Sequence, residues 1–357
     1  MSDAAQDARL AAAVAEAFGP GVTLRSTERL HGDASSRTYV RLRLDGGAPP
    51  SVVAMLLPDG SPRSDELGDD GGTATLPFVD VAAYLTRHGL PVPAIHLDAS
   101  ARGLLLVEDV GDTTLWRAVE TGGESAAARF ADAVDLLVRL QAAGAADPDP
   151  GCCAFARRFD GALARAELAH FVDHGIETRR GAPLAPAERA ALLAMLAPLA
   201  EPFESGATAL AHRDYMAWNL HVHETSGTLV MIDFQDALLA PDAFDLAQLL
   251  TDRTTITRLP RRDRDALVDR FEAARAAAGL PTPPGLRARL EVCTLQHALK
   301  VVGRFHYLEL VAGKAGYLAY LPAVYAVARE SLARLPDGPA IAAALARWVP
   351  ELAPDAA

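Results

Sequence analysis

One short stretch constrains the fold more than any other: "NLHVHETSGTLVMIDF", residues 219–234. Two short apolar runs, "NLHVH" and "LVMIDF", flank the turn signal "ETSGT" and read as a β-hairpin. Around it, helical spacing dominates. Residues 123–145 carry Phe130, Val134, Leu137 and Val138 on one helical stripe, and the segments near 158–173, 187–200, 244–255, 262–278, 285–312 and 322–347 read the same way. Only 219–236 breaks that pattern. The earlier part of the chain differs. Residues 6–18 read as a short helix, with Leu10, Val14 and Phe18 on one face. Val40, Leu42 and Leu44 then share one face of a strand, opposite Arg41 and Arg43. "SVVAMLL", "PVPAIHLD" and "GLLLVEDVG" read as further strands, and "PFVDVAAYLTRHGL" as a helix opened by Pro and closed by Gly. The expected architecture is α+β and two-lobed: a sheet-rich unit over 1–110 and a larger helical unit over 111–357.

The bulk properties narrow the function classes. The chain has 357 residues and a net charge of −12. A surface of that sign repels nucleic-acid phosphates and anionic lipid, so neither is an expected partner. An anionic substrate would need local positive charge from Arg or a metal ion. Cys152, Cys153 and Cys293 are not spaced for zinc, which points to a reduced, cytoplasmic protein. The first residues carry acids and lack the basic-then-apolar pattern of a secretion signal. No apolar run reaches membrane-spanning length. A monomer acting on a small molecule is expected.

The polar groups beside the hairpin carry the chemistry. His212, Arg213, Asp214 and Asn219 spell H-R-D-x-x-x-x-N, the catalytic-loop pattern of protein kinases, and Asp233 follows the second apolar run. Phosphoryl transfer spreads negative charge over phosphate oxygens, and Mg2+ neutralises it. Mg2+ takes hard oxygen ligands, commonly one or two carboxylates with phosphates and waters. A hairpin that begins at Asn219 and ends at Asp233 brings two such oxygens together. Asp214 would sit in the preceding loop and face an incoming hydroxyl. Taken singly, each group has an ordinary structural explanation; Asp245 before "LAQLL", for example, reads as a helix N-cap.

Taken together, the chain resembles the aminoglycoside-phosphotransferase/choline-kinase superfamily, relatives of protein kinases that phosphorylate small molecules. "LHGDASSRTYVRL" resembles the phosphate-covering loop, "GLPVPAIHLDASARGLLLVEDVGDTTL" the fifth strand and hinge, and "AHRDYMAWNL" and "MIDFQDALLAPDAFDLAQLL" the two catalytic motifs. "GDASSRTY", "IDFQDALLAPDAFDLAQLL" and "LKVVGRF…GKAGYLAYLP" are most similar to the anomeric N-acetylmuramate/N-acetylglucosamine kinases of bacterial cell-wall recycling. That resemblance implies a protein-kinase-like fold, ATP and Mg2+ as cofactors, and a sugar 1-phosphate as product.

It also implies roles. Asp214 is the base or aligner for the acceptor hydroxyl; Asn219 and Asp233 are the Mg2+ ligands; His212 and Asp245 brace the loop from behind. Gly32, Ser35 and Ser36 cover the phosphates, and the backbone from Glu108 to Val110 meets adenine. The sequence departs from most relatives on its third strand, "SVVAMLLP", where Met55 or a neighbour stands in place of the phosphate-holding Lys. Arg41 or Arg37 would supply that charge, unless Arg41 is a solvated strand residue. Asp236 either faces the sugar or pairs with a surface Arg. Lys300 and Arg304 are four apart and share a helix face. That face either meets the lactyl carboxylate of N-acetylmuramate or is solvated. Two other readings stay open: a kinase of another small alcohol (an aminoglycoside, choline or homoserine), and a nucleotide-binding pseudokinase.

Overall fold

The computed structural model describes residues 3–30, 37–47, 49–57, 75–121, 125–205 and 208–353. In chain order, its first elements are α1 (Asp3–Phe18), β1 (Thr23–Arg29), β2 (Thr38–Asp45), β3 (Ser51–Leu56), α2 (Pro77–Arg87), β4 (Ile95–Ala99) and β5 (Leu104–Glu108). Helices α3 (Leu115–Thr121), α4 (Ala126–Ala146), α5 (Cys153–Ala156), α6 (Gly161–His170), α7 (Pro186–Leu196) and α8 (Glu201–Ser205) follow. Four short strands come next: β6 (Thr208–Ala211), β7 (Leu220–Val222), β8 (Leu229–Met231) and β9 (Leu238–Pro241). The remaining helices are α9 (Phe244–Thr251), α10 (Arg261–Ala277), α11 (Leu286–His306), α12 (Leu321–Leu332) and α13 (Gly338–Ala346).

The chain forms two compact units. The first comprises Met1–Thr113, Gly151–Ala154 and Leu220–Asp236; the second comprises Thr114–Pro150, Phe155–Asn219 and Ala237–Ala357. In the first unit, a five-stranded antiparallel sheet runs in the order β1-β2-β3-β5-β4. Alternation along β2 puts Val40, Leu42 and Leu44 into a core shared with Leu10, Ala13 and Val14 of α1 and with Val52, Ala54, Leu104 and Leu106. β7 and β8 pair as expected, with Leu220 opposite Met231 and Val222 opposite Leu229. Phe234, just beyond the hairpin, stacks on Phe78 of α2 at 4.8 Å. No helix among the described residues is long and apolar enough to cross a membrane. The three cysteines are buried, and no disulfide joins them.

The second unit is helical around a core that includes Phe171, Val172, Leu295, Leu299, Val302, Val324 and Leu345. Two expectations need correction here. The hairpin is not the only β-structure in the later part of the chain, because β6 and β9 also pair, with Leu210 opposite Leu239. These strands are four residues each, and their burial does not alternate, so they show no period to read. The stretch 322–347 is not one helix either. It breaks after Leu332 and resumes at Gly338. A Cβ at Gly338 would lie 1.7 Å from the Leu332 carbonyl oxygen, so only glycine allows the chain to fold back there.

Candidate active site

In the second unit, the loop 212–219 follows β6 and is tied down at almost every peptide. Asp245 is fully buried in α9. Its Oδ2 accepts the His212 N–H at 2.6 Å, and its Oδ1 accepts the Arg213 N–H at 3.1 Å. Gln248, one turn further along α9, donates Nε2–H to the Arg213 carbonyl at 2.5 Å. Both peptide groups of Arg213 are therefore held by one helix, and Arg213 sits at φ 80°, in the left-handed region. Such a conformation costs a residue with a long side chain about 1–3 kcal/mol. Two backbone N–H bonds onto one carboxylate are what oppose that strain. Asp245 is not an N-cap: α9 opens after Ala243 without a side-chain cap, and Asp245 lies inside the helix, turned back onto the loop. Burial pushes its carboxyl up to about 7, aided by the nearby Asp214 charge and opposed by the two N–H bonds.

Asp214 comes next and is only half-buried. Its carbonyl accepts the Asn219 side-chain Nδ2–H at 2.9 Å and the Met216 N–H at 3.0 Å. That bond consumes the amide nitrogen of Asn219, so Oδ1 is the atom a hard cation could use. Tyr215 is fully buried; its hydroxyl donates to the Ala133 carbonyl at 2.8 Å, anchoring the loop to α4. His212 is buried and meets the Tyr215 ring edge-on at 5.7 Å.

In the first unit, Asp233 follows β8 at φ 64°. Among the described residues, Arg213 and Asp233 are the two non-glycine positions with positive φ. An Asp tolerates that region better than an Arg does. The Asp233 carboxylate is exposed, and Oδ1 accepts Gln235 Nε2–H at 2.8 Å, which leaves Oδ2 for a ligand. Asp236 is buried, with Oδ1 lacking any hydrogen-bond partner. Pairing with a surface Arg is not observed there. The donor set on both residues, amide oxygen and carboxylate oxygen, suits Mg2+ in kind.

Arg41 is not a solvated strand residue. It is 4% exposed. Its guanidinium makes four bonds of 2.7–3.0 Å to the Asp109 and Asp112 carboxylates. Ser51 adds its hydroxyl to Asp109 at 2.6 Å. Burial pushes the Asp109 carboxyl up, but the bonds from Arg41 and Ser51 outweigh it and hold the group below its ordinary value. Arg41 is thus spoken for by the turn after β5. Beside that turn, Glu108 accepts the Ala94 N–H and lies 3.1 Å from His223 Nε2, and the Val110 side chain is buried. His221 donates Nδ1–H to the Gly111 carbonyl at 2.9 Å. Gly111 has φ 88°, and a Cβ there would lie 2.5 Å from the Glu224 side chain. Gly32, Ser35 and Ser36 lie outside the described residues.

On α11 in the second unit, Lys300 Nζ lies 3.4 Å from Glu167, which also accepts Gln296 Nε2–H. Arg304 stacks over the Tyr307 ring at 5.6 Å. His170 nearby is pushed down to about 4 by burial, with the His174 and Arg304 charges acting in the same direction. Sequence reasoning missed Gln248, Tyr215 and the Asp109–Asp112 pair. Gln248 was within reach: it stands three residues after Asp245, hence on the same helix face.

The chain matches the model of the phosphotransferase enzyme family over residues 26–292. It is 32% identical over 324 residues to the N-acetylmuramate/N-acetylglucosamine kinase of Caulobacter vibrioides, covering 84% of this chain and 85% of that one. Among solved structures, it is similar to the choline kinase LicA of Streptococcus pneumoniae, with a TM-score of 0.60 at 14% identity over 92% of this chain and 99% of that one. It is also similar to amicoumacin kinase solved with AMP-PNP, Ca2+ and Ami, with a TM-score of 0.58 at 14% identity over 92% and 94% of the two chains.

Proposed function

From the premise that this chain belongs to the phosphotransferase enzyme family, we propose that it is an ATP- and Mg2+-dependent kinase of amino sugars. Its acceptor is the anomeric hydroxyl of N-acetylmuramate or N-acetylglucosamine, and its product is the sugar 1-phosphate, as in cell-wall recycling. The observation that carries this reading is the clamping of Asp214. The peptides on both sides of its side chain are pinned by Asp245, Gln248 and Asn219, which supports a backbone held ready before any substrate arrives. The choice of sugar is supported by the name of the Caulobacter relative. Use of a nucleotide and a divalent cation is supported by the contents of the amicoumacin kinase structure.

In this reading, Asp214 accepts a hydrogen bond from the acceptor hydroxyl and takes its proton as the oxygen attacks. The new O–P bond forms at the γ-phosphorus, the bond to the β-phosphate oxygen breaks, and ADP leaves. The anomeric hydroxyl is more acidic than other sugar hydroxyls, so Asp214 serves mainly to aim it. Asn219 and Asp233 are the residues that would hold Mg2+, which when bound would neutralise charge on the phosphates. Asp236, with its unpartnered oxygen, receives a sugar hydroxyl. Gly32, Ser35 and Ser36 lie at the phosphates, and the backbone of Glu108 and Val110 meets adenine. Arg41 acts on the nucleotide indirectly, by fixing the Asp109–Asp112 turn next to Val110.

A coupled ADP-release assay over a panel of N-acetylated sugars, amines and alcohols tests the proposal. ADP with the N-acetylated sugars alone supports it. ADP with amines or other alcohols instead, or with no acceptor at all, rejects it.

A further inference from the structure

Arg253 stands just past the C-terminus of α9 in the second unit, inside a ring of aromatic side chains. Its guanidinium carbon lies 4.6 Å from the centre of the Tyr320 ring, 5.4 Å from Phe305 and 6.0 Å from Trp218. These rings come from three separate places: the turn before α12, the end of α11, and the catalytic-type loop itself. The same α9 that holds the peptides of Arg213 through Asp245 and Gln248 thus reaches Trp218, next to Asn219, through Arg253.

The charge of Arg253 is poorly answered. Its nearest carboxylate oxygen belongs to Asp252, at 3.6 Å, too far for a hydrogen bond. Asp252 Oδ1 is occupied by the Thr254 backbone and hydroxyl. Arg253 Nε is buried without a hydrogen-bond partner. Arg41, Arg179, Arg264 and Arg289 show the contrast, since each meets carboxylate oxygens at 2.7–3.0 Å. Cation–π contacts steady the face of a guanidinium but leave its edge donors unsatisfied. An edge of that kind matches a carboxylate with two parallel N–H bonds. Meanwhile Trp218 is 36% exposed and Tyr320 is 39% exposed, though both are large and partly apolar. Flat rings of this kind pack against the C–H face of a pyranose and leave its hydroxyls free.

We propose that Arg253 is the carboxylate receptor of the acceptor site, walled by Trp218 and Tyr320. It rests on the amino-sugar kinase reading and assigns the residue that distinguishes an acidic sugar from a neutral one. N-acetylmuramate carries a lactyl carboxylate, and N-acetylglucosamine does not. Lys300 is the weaker candidate because Glu167 and Gln296 already share its surroundings.

The test measures kcat and KM for both sugars in the parent protein, Arg253→Met, Arg253→Lys and Arg304→Ala, with calorimetric binding of each sugar alongside. Methionine keeps an apolar stem between the rings and removes the charge; lysine keeps the charge and removes the fork. For Arg253→Met, the ratio of kcat/KM for N-acetylmuramate to that for N-acetylglucosamine falls about 10- to 100-fold, the range expected on losing charged hydrogen bonds. The fall is in KM and is matched by weaker calorimetric binding of the acid. Arg253→Lys falls part of the way. A ratio that stays within about 2-fold in both Arg253 variants, or that falls in Arg304→Ala instead, overturns the assignment while leaving the kinase reading intact. Failure of the parent protein to turn over either sugar removes both.

Discussion

Asp214 and Asp233 are both acids beside one hairpin, and the proposed function gives them different duties that mutation can separate. Asp214 has its backbone fixed, and in the proposed reading its carboxylate meets the acceptor. Replacing it with Asn keeps shape and removes the base, so Asp214→Asn should lower kcat about 10²- to 10⁴-fold. Calorimetric affinity for Mg-ATP should be unchanged. Asp233→Ala, by contrast, removes a proposed metal ligand, and both nucleotide affinity and turnover should drop. Equal loss of nucleotide binding in the two variants would contradict this division of labour. Arg41 supplies a prediction with a pH sign. Asp109 is held below its ordinary value, so its contribution to stability is present above about pH 3.9 and is lost as pH falls through its lowered folded-state value. Arg41→Met leaves that buried carboxylate unmatched and should cost about 3–5 kcal/mol at pH 7. The gap should narrow in urea unfolding carried out near pH 4 and below. A gap independent of pH would show that Asp109 is not the group concerned.

At the scale of elements, α9 is the helix that holds the 212–213 peptides. Its residues Asp245 and Gln248 reach the two faces of one peptide-bonded residue, and that residue bears a strained backbone. This much was half legible. The letters H-R-D-x-x-x-x-N and a later Asp could be read as a set, because phosphoryl transfer needs those groups. The positive φ of Arg213 could not, since nothing in an Arg side chain announces it. The β6–β9 pair was hidden for a related reason: strands of four residues without alternating burial show no period. Helix contacts were equally invisible where glycine permits them. Gly303 of α11 illustrates this, because a Cβ there would lie 2.7 Å from the Phe171 Cα and 2.8 Å from the His170 carbonyl oxygen. Both neighbours are backbone and cannot swing aside. Gly303→Ala should therefore destabilise the fold by about 1–3 kcal/mol, seen as a lowered thermal midpoint. A midpoint unchanged from the parent would mean that α11 and the backbone at His170–Phe171 can separate at no cost.

At the scale of the whole molecule, an acidic chain with net charge −12 is proposed to bind an anionic nucleotide and an acidic sugar. Local devices must then override the global sign: the proposed divalent cation, and Arg253 among its aromatic rings. The division into a sheet-rich and a helical part was readable from period alone, because Val40, Leu42 and Leu44 alternate while Phe130, Val134 and Leu137 recur at helical spacing. The membership of the hairpin was not. β7 and β8 lie in the first compact unit although the sequence around them is helical, and the chain returns to that unit at Gly151 and again at Leu220. Such returns depend on contacts between distant residues, which no local pattern encodes. The central claim, phosphorylation of an anomeric hydroxyl, is tested most directly by comparing ADP release from N-acetylglucosamine and N-acetylmuramate with release from their 1-O-methyl glycosides. The account predicts ADP and sugar phosphate in equal amounts from the free sugars and none from the glycosides. Comparable ADP and phosphorylated product from the methyl glycosides would contradict it.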